Sequence, residues 1–114
     1  MNFKLIDEYI NNKQYKEAYL LLTSYLEDKP HNLKALFLHA KIDFLYLKQC
    51  LILDYHELEE VIIKHGKDFD DAIIFIVGIA DYLEMSQGVL LYGPQAISIL
   101  KTHNYYNDEL LIKI

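Results

Sequence analysis

The sequence predicts an all-α domain built from antiparallel helical hairpins. Apolar residues recur at three- and four-residue spacings along most of the chain, as they do on the buried stripe of a helix. Asparagine, aspartate, glycine and proline stand between these stripes, where helices begin and end. A chain of 114 residues can form one hydrophobic core and is too small for two. A single domain over residues 1–114 is therefore expected.

Three helices are predicted in the first half of the chain. The polar segment Asn11–Gln14 separates the first two, whose apolar stripes are Leu5, Ile6, Tyr9, Ile10 and then Tyr15, Ala18, Tyr19, Leu22, Leu26. The second helix should end near Asp28, because the residue before Pro30 is held away from helical torsions. Asn32 is expected to cap the third helix, whose stripe is Ala35, Leu36, Leu38, Ala40, Ile42, Leu45.

A fourth helix is predicted to begin at a capping box. Asp54 stands at the capping position and Glu57, three residues later, has the spacing to reach back to the Asp54 backbone. The helix should end at Gly66, because glycine is the usual residue in the left-handed conformation that stops a helix.

The fifth predicted helix contains a segment whose composition also suits a strand. Asp68 is expected to cap it, with Asp70 and Asp71 in its first turn. The segment Ile73–Ile79 is rich in β-branched residues, so a buried strand is the alternative. Helix is favoured because the apolar residues keep helical spacing, and because a lone strand has nothing to pair with.

Two helices, preceded by a turn or a short helix, are predicted in the remainder of the chain. Gly88, Gly93 and Pro94 indicate a turn or a short helix that ends before Pro94, followed by a helix with Pro94 in its first turn. Asn107 is expected to cap a short terminal helix.

The first hairpin carries a family pattern. Its apolar, small and turn-forming positions are Leu5, Tyr9, Tyr15, Ala18, Leu22 and Pro30, with the run QYKEA at the turn between the helices. In these residues the hairpin resembles a tetratricopeptide repeat, a two-helix unit of about 34 residues. It departs from the family at Asn2, Ile6 and Tyr25. A second unit begins at Leu36 and Ala40 but is interrupted at residues 50–54, so the resemblance is good over residues 2–40.

The resemblance implies a scaffold that binds other proteins. Stacked repeats form a short right-handed superhelix, and partners lie in the concave face made by the first helix of each unit. The positions expected to face outward there are Asp7, Asn11, Phe37, Lys41 and Phe44. Of these, Phe37, Lys41 and Phe44 are the predicted partner-binding residues.

Charge indicates the kind of partner. The net charge is −6, and residues 51–114 alone carry four lysines against eleven acids. Arginine is absent, so the planar fork that binds phosphates and guanine edges is missing and nucleic acid is not an expected partner. The acids of residues 54–84 are expected to face water. A basic protein partner, held by Glu59, Glu60, Asp70 and Asp71, is the hypothesis; a merely solubilising surface is the alternative.

No motif for catalysis, a metal or a cofactor is found. The five histidines show no paired spacing, and Cys50 has no second cysteine. His56 and Glu60 lie four residues apart and could form one edge of a zinc site, but a solvated contact on a helix surface is the favoured interpretation. The sequence thus predicts a non-enzymatic protein with no metal and no cofactor.

Location is inferred from the same composition. The longest apolar run, Ala72–Ala80, is far short of the roughly 20 residues that cross a bilayer, and the acidic N-terminus does not resemble an export signal. A single cysteine fits a reducing compartment. A cytoplasmic protein without membrane association is expected.

The leading hypothesis is a protein–protein interaction module. Its sharper version is an immunity or antitoxin protein that neutralises a basic toxin domain. The alternative is a chaperone or adaptor that holds an apolar peptide in a groove near Phe37 and Phe44. The partner's identity, the oligomeric state and the question of which tyrosines lie at an interface are left open.

Overall fold

The computed structural model describes residues 3–49 and 51–103 of the chain. This part consists of helices joined by short turns: α1 (Phe3–Asn11), α2 (Tyr15–Asp28), α3 (Leu33–Ile42), a π-helical turn (Asp43–Leu47), α4 (Ile52–Ile63), α5 (Phe69–Tyr82) and α6 (Ser86–His103). No strand occurs within these two ranges, and Ile73–Ile79 lies inside α5. The all-α prediction is confirmed. The predicted helix after Asn107 lies outside the described residues.

Each helix packs against the next one along the chain, from α1 on α2 to α5 on α6. The helix α5 forms the centre of the core, since every residue from Ala72 to Ala80 is buried. A helix that is apolar on all sides must be covered on all sides, which explains why its composition resembled that of a buried strand. None of the described helices has the length and apolar character needed to cross a membrane.

The turn between α2 and α3 matches the expectation. The helix α2 ends at Asp28, and the side chain of Asn32 accepts a hydrogen bond from the backbone N–H of Ala35 at 3.0 Å. The same asparagine donates to the hydroxyl of Tyr25 at 3.3 Å, which ties the start of α3 to the end of α2.

Asn32→Ala should therefore lower the free energy of unfolding by about 1 kcal/mol, because a backbone donor loses its cap. Asp68→Ala is the matched control, since Asp68 occupies the capping position of α5 without making a side-chain capping bond. Urea unfolding measures both. An Asn32 variant as stable as the wild type would show that this cap contributes nothing.

The start of α4 differs from the predicted capping box. The helix begins at Ile52, and Asp54 is its third residue rather than its cap. The Asp54 carboxylate reaches back and accepts a hydrogen bond from the backbone N–H of Leu51 at 3.0 Å. Glu57 lies about one turn further along the helix, where its side chain is buried and does not cap the start of α4.

The end of α4 and the start of α5 also differ in detail. His65, with φ of 49°, adopts the left-handed conformation that was expected of Gly66. Gly66 has another role, because a Cβ there would lie 3.2 Å from the Leu33 side chain. Asp68 stands at the start of α5, but its carboxylate pairs with Lys34 at 3.5 Å.

The helix α6 runs unbroken through Pro94, contrary to the predicted turn. Gly93 lacks the Cβ that the proline ring would crowd, so the residue before the proline can stay helical. Gly88 is buried against neighbouring helices, where a Cβ would lie 3.0 Å from Cβ of Ala80 and 2.9 Å from the hydroxyl of Tyr55. Gly88 thus allows close packing between helices, whereas a Cβ at Gly93 would meet no other group, and neither glycine forms a turn.

Candidate functional site

The predicted partner-binding aromatics lie in the core. Phe37 and Phe44 are only 2% and 8% exposed, and their ring centroids lie 5.9 and 5.8 Å from that of Phe75 on α5. Lys41 is half-buried, with its ammonium 5.8 Å from the Phe37 ring centre. The expectation that both aromatic rings face outward is therefore wrong, because α5 covers this side of α3.

The four predicted acidic residues, Glu59, Glu60, Asp70 and Asp71, are partly buried. Glu60 binds His31 at 3.0 Å and Lys64 at 3.6 Å, and Glu59 lies 3.3 Å from His56. The partner of His56 is thus Glu59 and not Glu60, so the suggested edge of a zinc site does not form. Asp70 and Asp71 occupy the first turn of α5, as predicted.

A buried polar cluster lies between α3, the π-helical turn and α4. Its members are His39, Asp43, Asp54 and Glu57, all at most 5% exposed. His39, Asp54 and Glu57 each offer one ligand-type atom within 4.8 Å of the others. Two acids that were expected to face water, Asp54 and Glu57, are therefore in the interior. Short π-helical segments often occur at functional sites, and Asp43 begins this one.

Each of the two aspartates in this cluster accepts a hydrogen bond through only one of its two carboxylate oxygens. Oδ1 of Asp43 accepts a hydrogen bond from the Gln49 amide at 2.8 Å, and Oδ2 of Asp54 accepts one from the Leu51 backbone at 3.0 Å. The second oxygens, Oδ2 of Asp43 and Oδ1 of Asp54, are buried with no hydrogen-bond partner. A buried carboxylate oxygen without a partner is costly.

Both ring nitrogens of His39 have a neighbour. Nδ1 lies 2.8 Å from Oε1 of Glu57, and Nε2 lies 3.0 Å from the hydroxyl of Thr23. The Thr23 hydroxyl itself donates to the backbone carbonyl of Tyr19 at 2.9 Å. The imidazole also stacks on the Tyr19 ring, with 4.4 Å between the ring centres. These contacts fix the orientation of the ring.

The surroundings disfavour negative charge in this cluster. Burial, reinforced by the neighbouring Asp43 carboxyl group, raises the pKa of Asp54 to about 8. Burial also raises the pKa of Glu57, although its contact with His39 opposes that shift. The pKa of Tyr19 is raised to about 12 by burial and by the charges of Asp43 and Asp54. Neutralisation by a proton or a cation would relieve this cost.

The sequence contains a signal for this cluster that the search for histidine pairs missed. His39 and Asp43 lie four residues apart within the apolar stripe of the third helix, so both should face the core. Ionisable residues at core positions need partners. Asp54 and Glu57 supply them, and the capping-box interpretation concealed this role.

A surface cleft leads to the cluster. It has a volume of about 260 Å³, and its lining residues are Thr23, Leu26, Glu27, Pro30, Leu36, His39, Leu53 and Glu57. A small ion can thus approach His39 and Glu57 from solvent.

A second feature is an apolar surface on the outer side of α6, which we call the α6 face and define as Leu90, Leu91, Pro94 and Ile97. Leu90 and Leu91 are 75% and 60% exposed, and Ile97 lies two turns beyond Leu90. Positions separated by four and seven residues share one side of a helix. The chain thus exposes large apolar side chains together on its last described helix.

Comparison with known proteins does not assign the chain to a family. No protein-family model matches it, and neither the curated proteins nor the solved structures contain a match.

Proposed function

We propose that the protein is a helical protein-binding domain that holds a basic, amphipathic segment of its partner along the α6 face. The observation that carries this proposal is the exposure of Leu90 and Leu91 beside Pro94 and Ile97. Clustered apolar residues on a surface are typical of sites where partners dock. An amphipathic helix that lays its apolar side on such a face is a common mode of recognition.

Charge next to the α6 face supports a basic partner. A surface cavity of about 400 Å³ at the junction of α5 and α6 is lined by Asp81, Glu84 and Leu90, among others. Asp81 and Glu84 are exposed and have no ion-pair partner within residues 3–49 and 51–103. A lysine or arginine beside an apolar anchor would meet these carboxylates. Glu59, on α4, adds negative charge near Tyr92, which lies on α6.

The order of packing supports a repeat-like scaffold. The helices α1 and α2 form a hairpin, and α3 packs on α2, as in the first units of a tetratricopeptide-like stack. Because the rings of Phe37 and Phe44 are buried, we place the partner on α6, the last described helix, and not in a groove at these two residues. The proposed chaperone groove is not open at that position.

An immunity protein that neutralises a basic toxin is the narrower form of this proposal. Such a protein associates rapidly with its toxin, and the rate falls steeply with ionic strength. The acids Glu59, Glu60, Asp70 and Asp71 would contribute to the long-range field, since a charge steers association without touching the partner.

Binding to a defined peptide tests the proposal. The probe is a synthetic amphipathic helix of about 18 residues with leucine on one side and lysine on the other. Fluorescence anisotropy should show binding that weakens at least about tenfold between roughly 0.05 and 0.5 M salt. A peptide with glutamate in place of lysine should not bind, because Asp81 and Glu84 would repel it.

Matched variants locate the site. Leu90→Gln with Leu91→Gln should weaken binding at least about tenfold, because the apolar anchors are lost. Leu20→Gln is the control, since Leu20 on α2 is also a largely exposed leucine, at 55%. The proposal would be contradicted if the Leu20 control lost as much affinity as the double variant, or if the lysine peptide did not bind the wild-type protein at all. Self-association through the α6 face would be seen as a dimer by sedimentation and would also contradict it.

A further inference from the structure

We propose that His39, Asp54 and Glu57, beside the buried carboxyl group of Asp43, bind one divalent transition-metal ion in the interior of the domain. This site is separate from the α6 face, and the protein-binding proposal does not use it. The ligand atoms would be Nδ1 of His39 and one carboxylate oxygen from each of Asp54 and Glu57.

The two unpartnered oxygens are the first reason. No donor group reaches Oδ2 of Asp43 or Oδ1 of Asp54, although both residues are completely buried, and the two carboxyl groups lie close enough to each other to share a proton. The opposite oxygen of each carboxylate is held by a donor, Gln49 or Leu51. Metal sites commonly have this arrangement, in which one oxygen is oriented by a hydrogen bond and the other is left for the ion.

The orientation of the His39 ring by its hydrogen bonds is the second reason. The Thr23 hydroxyl has one proton, which it donates to the Tyr19 carbonyl, so its oxygen must accept from Nε2–H of His39. With Nε2 donating to Thr23, Nδ1 faces Glu57, 2.8 Å away, where it can carry a second proton and donate to Glu57 or present its lone pair to a cation. Two acceptors at that distance need a proton or a cation between or beside them. A ligating histidine usually donates its other N–H in this way.

The distances fit one ion. The ligand atoms of His39, Asp54 and Glu57 lie within 4.8 Å of one another. Ligands about 2.1 Å from a shared ion are separated by roughly 3–4.2 Å, so the group must contract only slightly. The cleft that ends at His39 and Glu57 is the route by which the ion enters.

Charge and ligand type define the class of ion. Three ionised carboxylates and a neutral histidine carry a charge of −3, which a divalent cation reduces in a site where net charge is costly. A mixed nitrogen and oxygen set without sulfur suits Mn²⁺, Fe²⁺ or Zn²⁺. Without metal, the same groups can be neutralised by a proton shared between Asp43 and Asp54 and by a His39–Glu57 ion pair. The experiment must separate these two states.

Calorimetric titration of the EDTA-treated, dialysed full chain with Mn²⁺ and with Zn²⁺ tests the site. One equivalent of ion should bind per chain for at least one of these metals, with a higher Tm and release of protons. Asp54→Asn, which keeps the size of the side chain, should weaken the affinity at least about tenfold. The control is His56→Gln with Glu59→Gln, a surface pair whose loss should change affinity less than about twofold.

A measurement on the unmutated protein guards against a variant that fails to fold. Substoichiometric Mn²⁺ should broaden the ring-proton signals of His39 and Tyr19 before those of His31 and His56, because the paramagnetic ion acts on its nearest nuclei. The proposal is overturned if no ion binds, if the surface histidines broaden first, or if Asp54→Asn binds as tightly as the wild type.

Discussion

Replacing Phe37 by alanine should lower the free energy of unfolding by about 3–5 kcal/mol. The ring is almost completely buried and packs on Phe75 of the central helix α5, so its removal leaves a cavity between α3 and α5. Were Phe37 a solvent-facing contact residue, as its sequence position indicated, the change would be within about 0.5 kcal/mol.

Urea unfolding at neutral pH measures this loss. Leu90→Ala is the control, because Leu90 is apolar, helical and 75% exposed. It should change stability by less than about 0.5 kcal/mol. A Phe37 variant that loses less than about 1 kcal/mol would show that the ring is not in the core.

The metal-free protein should become less stable as the pH rises from about 5 to about 8. Asp54 has a pKa raised from the usual 3.8 to about 8, so the folded state keeps a proton that the unfolded state releases. The contribution of this proton to stability is therefore complete below the pKa of Asp54 in the unfolded state. It is lost as the pH rises through the pKa of Asp54 in the folded state. The loss is about 1.4 kcal/mol per pH unit for one such group. The pKa of Glu57 is raised too and acts in the same direction.

Asp54→Asn separates this group from the rest of the cluster. The amide mimics the protonated carboxyl group, so the slope should become flatter and the variant should be more stable than the wild type at pH 8. Asp7→Asn is the control, since it removes the same charge from an exposed position on α1. Urea unfolding in EDTA at several pH values measures both. Equal slopes in all three proteins would mean that Asp54 titrates normally.

Local signals in the sequence were sufficient to predict where the first helices begin and end. The helix α2 has its predicted end, Asp28, because Pro30 and Asn32 act on neighbouring backbone groups. The same kind of signal failed at α6, where Pro94 and its glycines were interpreted as a break. Packing of Gly88 on Tyr55 and Ala80 favours a continuous helix there. Such contacts join residues that are far apart in sequence.

The candidate site was less accessible to sequence reasoning than the fold. Periodicity assigned α3 one apolar side, but all residues from Ala35 to Ala40 are buried because α2, α4 and α5 surround it. Phe37 is therefore in the core, and His39 faces carboxylates from α4. The pair Asp54 and Glu57 satisfied a capping pattern locally, whereas helix packing gave both side chains a different environment.

Mapping the backbone amide shifts of the labelled protein during titration with the lysine–leucine peptide tests the protein-binding proposal most directly. We expect the largest shifts on the α6 face and at Asp81 and Glu84, and little change in the amides near Phe37 and Phe44. Largest shifts in α3 and the π-helical turn, or no shifts at a peptide excess of about tenfold over the protein, would contradict it.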